Sequence, residues 1–287
     1  MAQPPPSLYA LDPALPVLLR PDGAVQVGWS PRRAVLIRPP RGLTAAGLAT
    51  LLRTMHSPVP MSELQRQAGG LSDGELSDLL AQLVTAGVAT RGRRQQPARS
   101  ASIRVHGRGP LSELLIEGLR CSGARVKHSS QPHAAVTAAE ADLVVLSDNL
   151  IADPHMLRDL HSQGVAHLAV RVRDGVGLVG PLVIPGVTSC LGCADLHRRD
   201  RDAAWPAVAA QLRDTVGVAD RPTLLATAAL ALSQVNRVIG AVRGPDAERH
   251  EGPDPGPPQA LNATLEFDVH AGSIVARQWP KHPLCSC

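Results

Sequence analysis

The stretch Gly177-Leu178-Val179-Gly180-Pro181-Leu182-Val183-Ile184-Pro185-Gly186-Val187-Thr188-Ser189-Cys190-Leu191-Gly192-Cys193 joins an apolar strand pattern, Leu178 to Ile184, to a pair of thiols. Upstream the pattern alternates. Ile103 to Val105, Ala124 to Lys127, Asp142 to Leu146 and His167 to Val172 read as strands, and Leu111 to Leu119 and Met156 to Gln163 as helices. Strands alternating with helical patterns predict an α/β fold with a parallel, doubly wound sheet. Downstream, Pro222 opens a long helix ending at Gly240, and Pro245 to Pro258 is a Pro/Gly/charge loop. Leu261 to Val269 and Ser273 to Trp279 form a hairpin pattern around Ala271-Gly272.

Four of the five cysteines form two close pairs, Cys190/Cys193 and Cys285/Cys287. A glycine inside Cys-x-x-Cys lets a turn aim both thiolates at one point, and structural zinc takes four such ligands in a closed tetrahedron. The two pairs could meet and staple the chain end to the sheet, which offsets the fraying expected of a terminus. His282 is a possible substitute ligand. The plain alternative is two unrelated reduced pairs. A redox pair is disfavoured because Cys190 follows a loop rather than starting a helix. Cys121, at a helix end, reads as a buried small hydrophobe.

Ahead of this sheet, residues 8–91 form a separate pattern, followed by a linker over residues 92–102 rich in Arg, Gln, Ser and Pro. Val17 to Arg20, Ala24 to Gly28 and Ala34 to Ile37 are short strand candidates, the first two joined at Pro21-Asp22-Gly23. Three helical patterns follow. Thr44 caps one bearing Leu48, Leu51 and Leu52; Ser62 precedes a short one with Leu64; Ser72 and Glu75 make a capping box before Leu76, Leu79, Leu80 and Leu83. Strands with three small helices predict a winged-helix-type module, with residues 103–287 as the second domain.

Composition narrows the function. At 44% hydrophobic and 19% charged residues the chain is not disordered. Aromatics are 2%, so the core is aliphatic and a base-stacking nucleic-acid surface is not expected. The net charge of +4 is mild and comes almost wholly from arginine, Lys127 and Lys281 being the lysines. The start has no basic, apolar signal pattern, and the apolar stretch Leu224 to Ile239 is interrupted by Ser233, Gln234, Asn236 and Arg237. The expectation is a cytoplasmic chain without a membrane span, in a compartment where clustered cysteines hold metal rather than disulfides.

His106-Gly107-Arg108-Gly109-Pro110-Leu111-Ser112 follows a strand and opens a helix, where a nucleotide phosphate loop belongs. Ser112 replaces the third glycine, Pro110 removes an amide donor, and the next strand ends in Lys127-His128-Ser129-Ser130 without an acid for ribose. A tight turn kept for packing is the favoured reading.

With Ala141-Asp142-Leu143-Val144-Val145-Leu146-Ser147-Asp148-Asn149, the cysteine pairs, and the helix bearing Leu230, Leu232, Val235 and Ile239, the order of motifs resembles the ubiquitin-activating-like (ThiF/MoeB/HesA) superfamily. The resemblance implies adenylation chemistry with ATP and Mg²⁺. It implies that Asp148-Asn149 matches an Asp-Asn element facing metal and nucleotide, and that Cys190, Cys193, Cys285 and Cys287 match a structural zinc site. Cys190-x-x-Cys193, His197, Asp200, Trp205-Pro206 and His282-Pro283-x-Cys285-x-Cys287 look closer still to the cyclodehydratase partner proteins of thiazole/oxazole-modified peptide biosynthesis. Those carry a winged-helix clamp that captures a precursor's leader peptide for a separate YcaO-type enzyme. Homodimers are common among them.

One departure decides between the activities. Residues 128–141 hold a single carboxylate, Glu140, and no arginine, so the charges that neutralise a polyphosphate are missing. The expectation is a non-catalytic adaptor with zinc and without ATP, in which Gly107, Gly109, Asp148 and Asn149 are vestigial and no residue is catalytic. The peptide would add a strand beside Val35 and Ile37, facing Leu76, Leu79 and Leu83. An active adenylating enzyme is the alternative. A DNA-binding winged helix with a zinc domain is a further one, disfavoured because Asp73, Glu75 and Asp78 make the third helix acidic.

Overall fold

The computed structural model describes residues 7–93, 99–131, 136–243 and 256–287, the side chains of Arg93 and Arg243 excepted. They fall into two units. Part of the expected linker (94–98) and most of the expected Pro/Gly loop (245–255) lie outside the described residues.

The first unit runs β1 (Ser7–Leu11), β2 (Val17–Leu19), β3 (Val25–Val27), β4 (Val35–Ile37), α1 (Ala45–Thr54), β5 (Val59–Pro60), α2 (Met61–Gln67), α3 (Asp73–Thr85) and β6 (Ala89–Arg93). β2, β3 and β4 form an antiparallel sheet in that order, so β4 is an edge. Asp22 and Gly23 turn the first hairpin, Gly23 at a φ of 77° that favours glycine. Thr44 accepts the Gly47 amide at 3.0 Å to start α1, and Ser72 with Glu75 closes a reciprocal capping box on α3. Leu48, Leu52, Leu64, Leu76, Leu80 and Leu83 bury against Val25 and Val27 in one core. Each such leucine contributes about 1.5–3 kcal/mol by leaving water. β1 was not expected. It is held from far along the chain, pairing with β6 (Ala10 opposite Thr90) and with β5 (Tyr9 opposite Val59).

The second unit runs β7 (Ser102–His106), α4 (Pro110–Cys121), β8 (Arg125–Ser129), β9 (Leu143–Ser147), α5 (Pro154–Ser162), β10 (His167–Arg173), β11 (Val176–Val183), α6 (Leu191–Arg201), α7 (Trp205–Gln211), α8 (Arg221–Arg243), β12 (Ala263–Asp268) and β13 (Ser273–Gln278). They build a seven-stranded sheet in the order β13-β12-β11-β10-β9-β7-β8. β10, β9, β7 and β8 are parallel, and β11, β12 and β13 join antiparallel. The expected parallel, doubly wound sheet is thus parallel over four strands and mixed as a whole, with the expected hairpin present as β12 and β13. The reason is local: Asp174 (φ 53°) and Gly175 (φ 77°) connect β10 to β11, and two residues at positive φ make a hairpin turn that only antiparallel strands can use.

α4 and α8 cover one face of the sheet, with Leu111, Leu115, Ala231 and Val235 against Val105, Val145 and Val170. α5 covers the other, with Met156 and Leu160 against Val144, Leu146 and Ala169. β9 is therefore buried at all five positions. α8 is also corrected. It spans Arg221–Arg243, and by length and composition the stretch Arg221–Val242 could cross a membrane, unlike the interrupted segment expected. In this fold Leu224, Ala228, Ala231, Val235 and Ile239 are buried against the sheet and α4, as in a core helix.

Candidate metal centre and the closed helix cradle

Cys190 ends the loop after β11 and caps α6, its Sγ accepting the Cys193 amide at 3.4 Å. It thus follows a loop, as expected, but also starts a helix, and the helical turn brings Cys193 back beside it. The tail beyond β13 supplies the other pair. Cys190 and Cys193 sulfurs are 3.9 Å apart, Cys190 and Cys285 3.5 Å, and Cys193 and Cys287 3.4 Å. All four lie within 4.8 Å of one another. Tetrahedral zinc–thiolate bonds put sulfurs roughly 3.8 Å apart, so the four residues fit one metal ion such as zinc.

Burial raises the Cys190 thiol's pKa, and raises that of Cys287 to about 11. Cys193 is opposite: burial opposes ionisation, but the His282 amide and neighbouring thiols outweigh it and bring the pKa down to about 7. Cys193 is thus the thiol readiest to become a thiolate ligand. Cys121 is exposed rather than buried. The buried stripe of α4 is Leu111, Leu115 and Leu119, and two residues beyond Leu119 the helix has turned to solvent.

His282 does not substitute for a cysteine. Its backbone N–H donates to the Cys193 sulfur at 3.4 Å, while its ring turns away from the sulfurs. Nδ1 accepts the Leu284 amide at 3.1 Å, which leaves the hydrogen on Nε2 to donate to Asp200 at 2.8 Å. His197, whose ring lies edge-on to His282, donates from Nε2 to the Pro280 carbonyl at 3.0 Å. His197, Asp200 and His282 are close enough to hold an ion. Both Nε2 atoms are occupied as donors, and these bonds fasten the tail to α6.

At the other site, Gly107 and Gly109 lead into α4. A Cβ at Gly107 would lie 2.3 Å from the Ser147 carbonyl oxygen, and one at Gly109 2.5 Å from Asp148 Oδ1. The glycines are thus required by close approach to the end of β9. Asp148, buried at φ 72°, turns onto the start of α4. Its carboxylate accepts from the Leu111 amide at 2.9 Å, the Ser112 amide at 3.1 Å and the Ser112 hydroxyl. Pro110 has no N–H, and Glu113 N–H bonds the Gly109 carbonyl at 3.3 Å. The amides of Leu111 and Ser112 are thus taken by the protein's own carboxylate, which leaves a nucleotide phosphate fewer donors at this turn. Asp148, which the resemblance alone would set facing a metal and nucleotide, here faces the start of α4. Asn149 is exposed and bridges to Val216.

In the first unit a groove of about 410 Å³ runs between β4 and α3. Val35, Ile37, Leu79 and Leu83 line it, with Leu36, Arg38, Glu75, Asp78 and Gln82. Leu76 is not among them: it is 1% exposed and packs inside the core. It lies on the same face of α3 as Leu83, which is equally buried, but nearer the start of the helix.

No protein-family description matches the chain, and no curated protein matches it. Solved structures do. A heterocyclase in complex with substrate and cofactor is 15% identical, with a TM-score of 0.68 over 99% of this chain and 39% of that one. The heterocyclase TruD is 15% identical, with a TM-score of 0.67 over 98% and 42%. MccB of E. coli with ATP is 12% identical, with a TM-score of 0.60 over 97% and 99%. The chain thus has the fold that these heterocyclases and MccB share, and it spans about two-fifths of the heterocyclases' length.

Proposed function

We propose that this chain is a non-catalytic adaptor of thiazole/oxazole-modified peptide biosynthesis. It binds a precursor's leader peptide and presents it to a separate YcaO-type cyclodehydratase. The first unit, as a winged-helix-type clamp, takes the peptide as an added strand on β4. The observation that carries this reading is the groove beside β4. An edge strand offers unpaired backbone groups, and Ile37, Leu79 and Leu83 form an apolar floor for alternate side chains of an extended peptide.

The second unit serves as scaffold. Four cysteine ligands hold a structural zinc, and self-association of this unit into a homodimer belongs to the same reading. The closed cradle at α4 supports an ATP-silent role over adenylation, because Asp148 already stands where a phosphate would be bound. The carboxylates of Asp73, Glu75 and Asp78 on α3 count against a DNA-recognition role, since they repel phosphates.

The test is reconstitution. The precursor peptide encoded beside this chain's gene is incubated with its YcaO-type enzyme and ATP, with and without this chain. Heterocycle formation, read as mass loss of one water per ring, should depend on this chain. Equal processing without it, or ATP turnover by this chain alone, would overturn the reading.

A further inference from the structure

We propose that Arg171 and Arg198 form a buried binding site for one small monovalent anion of chloride size. Arg171 lies on β10, on the face that carries Ala169, and is 7% exposed. Beside it a cavity of about 20 Å³ is walled by Ile151, Leu157 and Leu191, with Arg171, Arg198 and Asp195 as its charged groups. Roughly 10–15 Å³ suffices for one water, so the space takes a single small occupant.

Charge decides which occupant. Two guanidiniums face one carboxylate. Asp195 Oδ1 is committed, accepting from Arg198 Nη1 at 2.8 Å and from Trp205 Nε1 at 3.2 Å. Arg198 is fixed as well, its guanidinium 5.2 Å from the Trp205 ring centre and 4.8 Å from that of Trp279. No described residue gives the Arg171 guanidinium a hydrogen bond or an ion pair. Burial first, and then repulsion from Arg198, bring its pKa down to about 10, which leaves it charged at neutral pH. A largely buried cation that shares a single carboxylate, Asp195, with a second guanidinium is short of counter-charge, which is costly. A water would solvate it without neutralising it, whereas a halide does both. Arg173, on the same strand, and Arg277, on β13, flank Glu266 on β12 and add further positive potential.

The experiment uses the full chain and two salts. Thermal midpoints are read in sodium chloride and in sodium gluconate at one ionic strength, gluconate being too large for the cavity. Chloride should give a saturable rise that gluconate lacks, and crystals soaked in bromide should show an anomalous peak between Arg171 and Arg198. Arg171→Met should abolish the chloride-specific rise. Asp195→Asn, which removes the competing negative charge, should tighten the apparent chloride affinity about threefold or more. Should Arg171→Met fail to fold, the bromide peak and Asp195→Asn decide. Matching midpoints in the two salts, or a bromide-free cavity holding one water, overturns the proposal.

Discussion

Asp148, at the end of β9, receives the Ser112 amide at 3.1 Å together with the Ser112 hydroxyl, and so caps α4 from across the sheet. A carboxylate at a helix N-terminus is favoured by the helix dipole and by the otherwise unpaired amides. The same physics that draws a phosphate to such a turn here draws the protein's own side chain. Asp148→Ala strands two buried amides and should lower unfolding stability by about 2–3 kcal/mol. Denaturant unfolding measures it, and a loss below about 0.5 kcal/mol would contradict the capping role.

Nucleotide binding follows from the same contact. Titration of the intact chain with Mg-ATP should yield no saturable heat at micromolar concentrations. A clear micromolar isotherm would mean that the cradle opens.

The proposed zinc makes the order of the tail a matter of metal loading. The purified chain should carry close to one zinc, and Cys287→Ser should lose it and free the C-terminus to carboxypeptidase digestion. His282→Ala leaves all four sulfurs in place but removes the tie to Asp200. By analogy with other outer-shell partners, zinc affinity should fall about 10–100-fold, read by chelator competition. Unchanged affinity would make the tie to Asp200 irrelevant to the metal.

His167 carries a pH dependence. It is fully buried, its Nε2 has no partner, and burial lowers its pKa from 6.5 to about 4. Between those values the unfolded chain binds a proton that the folded chain refuses. Stability is therefore whole above pH 6.5 and declines as pH falls toward 4, by up to about 1.4 kcal/mol per unit and about 3 kcal/mol in all. Denaturation midpoints at pH 7 and pH 4.5 should diverge accordingly, and His167→Leu should narrow the gap. An equal gap in the variant would assign the acid loss to other groups.

Much of this was legible from residue type and spacing, and the losses have particular causes. Asp142 to Leu146 reads as an apolar strand, and its unbroken aliphatic run suits the place of β9, which is covered on both faces. The convergence of the cysteine pairs was legible because a Cys-x-x-Cys turn aims two thiolates at one point and four such ligands suit one metal ion. Asp174-Gly175 also carried a signal, the two-residue hairpin, but the strand–helix rhythm around it suggested another parallel strand. β1 was hidden because its partners are distant: Ala10 pairs with Thr90. The inward turn of Asp148 had no local signature, since an acid after a strand suits a bound nucleotide and a helix cap equally. The tie between His282 and Asp200 needed the tail placed beside α6 before it could be seen.

The central claim is that the groove between β4 and α3 captures a peptide, and one measurement addresses it most directly. The fluorescently labelled precursor peptide is titrated against the wild-type chain and against Leu79→Glu, with zinc content and far-ultraviolet circular dichroism confirming that the variant is folded. The account predicts saturable micromolar binding to the wild type and at least tenfold weaker binding to the variant, about 1.4 kcal/mol or more. Binding that Leu79→Glu leaves unchanged, or no saturable binding to the wild type, would contradict it.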